Sequence, residues 1–284
     1  MGRKFNVNGD CKPGLHYMVN MDTRLREIRK MVDNGDYFTI NRARQYGKTT
    51  MLRALGRFLE KDYLVISMDF QVISTSKFRD ENTFSLTFAE LFVKEAEKGK
   101  GGGKAGGEAL GSLKQALQSS RAIELFELFG YLSGICRESE KPIVLMIDEV
   151  DSASNNQVFL DFLAQLRRQY IGRDQEAAFW SVILAGVCDI KNIRYKIRPD
   201  GVHRYNSPWN IAADFLVDMS FSAEDIAGML EEYEGDYATG MDIRAVAGEI
   251  YNYTSGYPFL VSRICKLIDE RIAGGPGSKD GNGR

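Results

Sequence analysis

Apolar residues along this chain recur with two different periods, and each change of period marks the edge of an element. Leu25, Ile28 and Val32 fall on one face of a short helix that stops at Asn34-Gly35. The compact apolar run Tyr37-Phe38-Thr39-Ile40 predicts a buried strand. A polar turn from Asn41 to Gly47 then opens a helix with Met51, Leu52, Leu55 and Leu59 at helical spacing. Residues 62–70 predict a second strand and residues 83–98 a helix, with further helices around 112–119 and 122–137. The run Pro142 to Ile147 is nearly all apolar, as a central parallel strand buried on both faces must be. Phe159, Phe162, Leu163 and Leu166 place a helix after it. Residues 179–187 predict a fourth strand and Ala213 to Phe221 a shorter fifth. Strands alternating with helices imply crossover connections and a mainly parallel sheet.

From Ser222 onward the pattern is purely helical. Ser222 and Asp225 form a capping box ahead of Ile226, Met229, Leu230 and Tyr233. Another helix is expected near 241–253, and the last one carries Tyr257, Leu260, Val261, Ile264, Leu267 and Ile268. Glycine is crowded into residues 99–107, where its backbone entropy predicts a mobile surface loop reaching to residue 111. The tail 274–284 is expected to be disordered. The expected organisation is an α/β core over 1–220, a small helical lid over 221–273, and the tail.

Composition narrows the function classes. The 284 residues carry a formal net charge of −2, so charge alone gives no indication of nucleic-acid binding. No apolar run approaches the roughly 18 residues of a membrane span, and the N-terminal MGRKFNVNGD lacks the apolar stretch of a secretory signal. Cys11, Cys136, Cys188 and Cys265 show no C-x-x-C spacing, which points to free thiols in a reducing cytoplasm. Two histidines are too few for an ordinary structural zinc site. His16 and His203 read as surface or packing residues.

The sharpest chemical signal is Gly47-Lys48-Thr49-Thr50, between a buried strand and an apolar-faced helix. A phosphate needs backbone N–H donors, a positive helix end and a cation, and a strand–loop–helix turn supplies all three. The candidate cradle is Arg42, Ala43, Arg44, Gln45, Tyr46, Gly47, Lys48, Thr49 and Thr50. Lys48 would reach the β- and γ-phosphates, and the Thr49 hydroxyl would ligate Mg²⁺. An ordinary helix N-terminus with a solvated lysine is the plainer alternative. The full phosphate-loop pattern has glycine where this chain has Arg42; either that departure weakens the cradle, or Arg42 and Arg44 add charge to it.

The second signal is Ile147-Asp148-Glu149, closing the apolar strand. A carboxylate at the C-terminal tip of a parallel strand projects into the crevice where ligands sit. Asp148 there can hold Mg²⁺ or its waters, while Glu149, turned elsewhere by strand alternation, can orient and deprotonate a water. Two solvated carboxylates at a strand end are the alternative reading.

Together these residues resemble P-loop NTPases of the class with an extra acid after the metal-binding aspartate. That resemblance implies a five-stranded sheet ordered 5-1-4-3-2. More narrowly, the chain resembles the AAA-like ATPases of bacteria, through residues 37–50, IDEVD at 147–151, LAGVCDI at 184–190, SPWNIA at 207–212 and TSGYPFL at 254–260. Arg42 in place of the first glycine is usual in that family. Gly256-Tyr257-Pro258 is similar to the GxP signature of its signal-transduction branch, which implies that Pro258 sits in a lid reporting nucleotide state; Gly-x-Pro is equally a good helix start. Cys188 and Asp189 fall where a sensor residue is expected, although Asp189 would repel a γ-phosphate unless it binds Mg²⁺ waters or an arginine. An arginine finger would come from Arg167, Arg168, Arg173, Arg194, Arg198 or Arg204; the basic stretch 194–204 reads as a solvated connection or a loop towards a neighbour. Tyr17 and Tyr37 are candidates for stacking on the base, or for the core.

These readings imply Mg-ATP binding and slow hydrolysis, driving a switch or motor for a protein partner or for self-association. ATP is favoured over GTP by the family and because no N/TKxD guanine-reading motif is present. The rival is a nucleotide-dependent interaction module with negligible turnover. Relatives often continue into a restriction-endonuclease-like domain, whose chemistry is not expected from these residues.

Overall fold

The computed structural model describes residues 2–98, 107–119, 121–187, 190, 194–196, 204–206 and 208–271. In chain order the first elements are α1 (Asp22–Asp33), β1 (Tyr37–Asn41), α2 (Lys48–Leu59), β2 (Leu64–Asp69), α3 (Glu81–Lys98), α4 (Gly107–Gln118) and α5 (Leu125–Glu138). They are followed by β3 (Ile143–Asp148), α6 (Gln157–Ile171), β4 (Ser181–Gly186), β5 (Arg194–Lys196), β6 (Arg204–Asn206), α7 (Ala223–Tyr237), α8 (Ile243–Thr254) and α9 (Pro258–Arg271). The chain divides into two compact units. One comprises Ile28–Ala43 and Ala54–Leu216, the other Met1–Glu27, Arg44–Arg53 and Val217–Arg284.

The first unit is an α/β layer structure on a parallel sheet of order β1-β4-β3-β2. β3 and β4 are buried at every position, which is why Ile143–Ile147 and Val182–Ala185 are unbroken apolar runs. β2 lies at an edge, and only Leu64, Ile66 and Met68 of its alternating face are buried. Phenylalanines fill one side of the core: Phe162 meets Phe88 at 5.0 Å and Phe84 at 5.4 Å between ring centroids. Trp180 Nε1 donates to the Val32 carbonyl at 2.7 Å and Ser181 Oγ to the Asp36 carbonyl at 2.6 Å, fixing the start of β4 beside the turn before β1.

The sheet has four strands among the described residues where five were expected. The place of the fifth is marked by a single parallel bridge, Phe38↔Ala213, in which the Ala213 N–H donates to the Tyr37 carbonyl at 2.8 Å. Beyond it the backbone leaves the ladder, while side-chain packing still follows the apolar alternation. Phe215 stacks on Phe38 at 6.0 Å, while its neighbour Leu216 is 86% exposed.

Two further expectations are corrected. Residues 107–111 are helical rather than part of a loop: Gly107 opens α4, Glu108 complements the helix dipole, and the Ala109 N–H donates to Glu138 Oε2 at 2.9 Å. The stretch 194–204 is more than a connection, since β5 and β6 pair antiparallel with Tyr195 opposite Tyr205. The rest of the expected mobile loop, 99–106, and the tail 274–284 lie outside the described residues.

The second unit is built on α7, α8 and α9. Ile226, Met229, Leu230, Tyr233, Ala247, Ile250, Val261 and Cys265 form its core together with Phe5, Tyr17 and Val19 from the N-terminal segment. The Ser222–Asp225 capping box is present at the start of α7. Tyr17 donates to Asp236 Oδ2 at 2.8 Å, and Arg3 pairs with the same carboxylate at 3.0 Å. Among the described residues no helix is long and apolar enough to cross a membrane.

Candidate functional site

The C-terminal tips of β1 and β3 lie on one edge of the parallel sheet with β4 between them: Asn41 is level with Gly186, and Ile147 with Leu184. The candidate phosphate loop leaves from the first tip and Asp148 closes the second. In open α/β sheets this edge is where ligands bind.

At the β1 tip, the Arg42 N–H extends the ladder by donating to the Gly186 carbonyl at 3.2 Å. The Arg42 guanidinium lies 5.4 Å from the centroid of Phe215 and donates to the Asn41 carbonyl. Ala43, Arg44 and Gln45 are exposed. Gln45 at φ 60° and Gly47 at φ 80° are both left-handed. A Cβ at Gly47 would meet nothing within 4 Å, so glycine is required there for its backbone conformation alone. Gln45 has no such freedom, and strained residues of this kind gather at functional loops. α2 starts at Lys48, and its first bond runs from the Met51 N–H to the Gly47 carbonyl at 2.9 Å.

The first turn of α2 contains no acidic residue, and Lys48, 6% exposed, is its first residue, at the positive end of the helix. A cation there opposes the helix dipole, and a bound polyanion turns both charges into favourable terms. Thr49 follows, half-buried. Thr50 is used differently: its Oγ1 accepts from the Cys11 N–H at 3.0 Å, and Arg53 on the next turn pairs with Asp10. Tyr46 packs edge-on against Tyr257 at 5.0 Å and shares a hydrogen bond of 2.8 Å with Ser220 Oγ. Pro258 is buried at the first position of α9.

At the β3 tip, Asp148 is 7% exposed, and its Oδ1 accepts from the Glu149 N–H at 2.9 Å. The expectation that strand alternation turns Glu149 away is corrected. The strand ends at Asp148, and Glu149 adopts φ 55°, ψ 40°, so a left-handed turn sets its direction. A short 3₁₀ turn, Val150–Ser152, follows, and Ser152 Oγ donates to the Glu149 and Phe70 carbonyls. Asp151, to which the motif gave no role, accepts from the Val187 N–H at 2.6 Å. A Cβ at Gly186 would come within 2.9 Å of that carboxylate, which explains the glycine ending β4.

Other candidates resolve less favourably. Tyr17 and Tyr37 are core residues rather than base platforms: Tyr17 is enclosed by Phe5 and Tyr233, and Tyr37 donates to the Phe179 carbonyl at 2.9 Å. His16 Nδ1 accepts from the Lys12 N–H at 2.9 Å, and partial burial, then Lys4, lowers its pKa, consistent with a packing role. Arg167 bonds Asn210, Arg168 faces Glu176 and Phe126, and Arg173 donates to the Gly35 carbonyl at 2.8 Å. Cys188, Asp189, Arg198 and His203 lie outside the described residues, as do the side chains of Arg194 and Arg204.

Comparison with known proteins adds the family. Residues 14–272 match the family model of the AAA-like domain. No curated protein matches the chain. The Walker-type ATPase of Pyrococcus abyssi is similar in structure at a TM-score of 0.59 and 15% identity, over 93% of this chain and 71% of that one. Cdc6p from Pyrobaculum aerophilum is similar at a TM-score of 0.52 and 14% identity, over 94% of this chain and 64% of that one. At such identities the likeness concerns the fold alone, and that fold is the P-loop ATPase one. With the family match running from before the phosphate loop to beyond the last described helix, this chain belongs to the AAA-like domain family of nucleotide-binding ATPases.

Proposed function

We propose that the chain binds Mg-ATP and hydrolyses it slowly, as a switch or motor for a protein partner or for its own assembly. The observation that carries this reading is the parallel-sheet edge at which β1 hands over to the left-handed loop and β3 ends in buried Asp148. In this reading Arg42 to Thr50 cradle the phosphates and Lys48 meets their charge. The hydroxyl of Thr49 and the carboxylate of Asp148 are hard oxygen donors, the set that suits Mg²⁺ brought in with a phosphate chain. The metal would neutralise charge on the phosphates. Glu149 would accept the proton of the attacking water, and Pro258 would contact the nucleotide from a lid over 221–273, with 1–220 as the nucleotide-handling core. The cytoplasm is the proposed location, in keeping with free Cys11, Cys136 and Cys265.

The rival is a nucleotide-dependent interaction module with negligible turnover. It is favoured by one observation: Arg167, Arg168 and Arg173 all have partners within their own unit and are poor sources of a mobile finger. Turnover of Mg-ATP by the wild type and by Glu149→Gln, with ATP affinity measured on both, separates the two. An ATPase with Glu149 as base loses turnover in the variant while affinity stays within about threefold. Tight binding without turnover in either protein supports the module. Absence of binding in the wild type removes both readings.

A further inference from the structure

The sequence singled out Pro258 of the Gly256-Tyr257-Pro258 turn, and its neighbour Tyr257 bonds to the backbone of the phosphate loop. Its hydroxyl donates to the Arg44 carbonyl. That oxygen belongs to the peptide plane linking Arg44 to Gln45, and the orientation of this plane sets φ of Gln45, which is 60°. The hydrogen bond therefore acts on the torsion that makes the loop left-handed. The Tyr257 ring also meets Tyr46 edge-on at 5.0 Å, and Tyr46 is anchored in turn to Ser220 Oγ at 2.8 Å.

The turn that presents Tyr257 is itself fixed. Ser255 and Gly256 are consecutive left-handed residues, at φ 48° and 73°. The Gly256 carbonyl accepts from the Phe221 N–H at 2.8 Å, and a Cβ at Gly256 would lie 2.0 Å from the Phe221 carbonyl oxygen. Thr254 completes the turn: Oγ1 donates to the Ile250 carbonyl at 2.7 Å and accepts from the Gly256 N–H at 3.2 Å. A rigid turn thus delivers one phenol to one carbonyl of the loop.

We propose that Tyr257 is a positioning residue that holds Gln45 in its left-handed conformation and so pre-shapes the phosphate loop before nucleotide arrives. This rests on the reading of residues 42–50 as the phosphate cradle. Because coupling is reciprocal, nucleotide that stiffens the loop also stiffens the turn at the head of α9.

The test uses Tyr257→Phe, which keeps the ring and removes the donor, beside Tyr253→Phe, whose hydroxyl lies on an 80% exposed side chain. Backbone amide exchange is followed in nucleotide-free protein over residues 45–50, and Mg²⁺-dependent affinity is measured with a fluorescent ATP analogue. Loss of one hydrogen bond predicts about fivefold faster exchange over the loop and about fivefold weaker affinity in Tyr257→Phe. The amides of α7 and α8 should keep their protection, and Tyr253→Phe should change neither readout. Loop exchange within twofold of wild type, or a rise spread equally through α7 and α8, would overturn the proposal. A wild type that binds no analogue would sink the ATP reading, while exchange, measured without nucleotide, still decides whether Tyr257 fixes the loop.

Discussion

Gly47 and Gly256 are both left-handed, yet they are glycine for different reasons, and substitution separates them. At Gly47 a methyl group has room, so Gly47→Ala carries only the conformational cost, about 1–2 kcal/mol, and that cost falls on the loop. At Gly256 the same methyl group would run into the Phe221 backbone, so Gly256→Ala is expected to cost upwards of about 3 kcal/mol. Urea unfolding should show a small shift for the first and a large one for the second; equal shifts would contradict the stated contacts. The positions of Lys48, Thr49, Asp148 and Glu149 were legible in the sequence because their spacing follows from strand and helix ends. The direction of Glu149 was not, because alternation stops at the last paired residue and a φ of 55° takes over. Tyr17 and Tyr37 were ambiguous for a related reason: a phenol that stacks on a base and one that caps a buried carbonyl look alike until the partner is known.

Among the elements, β3 and β4 could be read directly, since a strand covered on both faces favours an apolar run such as Ile143–Ile147 or Val182–Ala185. The fifth strand could not, because alternation reports burial and says nothing about backbone pairing; Phe215 keeps its packing without a ladder. α4 was misjudged at its start, where a glycine-rich sequence hides a helix tied to α5 through Glu138. Two expectations belong at this scale. Ser222→Ala removes the cap of α7 and should lower stability by about 1 kcal/mol in chemical unfolding, whereas Ser76→Ala, exposed on a short 3₁₀ turn, should change little. Replacing residues 99–106 with a short linker should leave ATP affinity unchanged, and a loss of binding would make that stretch part of the site.

For the molecule as a whole, protonation sets a window of stability. Burial pushes the thiols of Cys136 and Cys265 up to about 12 from an ordinary 9.0. Their burial is fully stabilising below pH 9 and is lost as pH rises towards 12, so melting temperatures should decline across that interval. The buried Cys265 thiol should resist iodoacetamide at pH 8 until the chain is unfolded, and half-buried Cys11 should react before it. At the acid end, the hydrogen bond from Tyr17 and then Arg3 hold Asp236 below its ordinary 3.8, so its contribution is present above that value and lost as pH falls further. What the sequence concealed at this scale was the N-terminal segment. Phe5, Tyr17 and Val19 carry no helical or strand period, and the helices they pack against lie at the other end of the chain. That arrangement has a consequence for biosynthesis. On the ribosome Ile226, Tyr233 and Val261 follow these three side chains by more than about 200 residues, a delay of roughly ten to forty seconds at 5–20 residues per second. Throughout that interval the nascent chain carries apolar side chains whose partners on α7, α8 and α9 have yet to be made, as a client of chaperones that bind early and release late does.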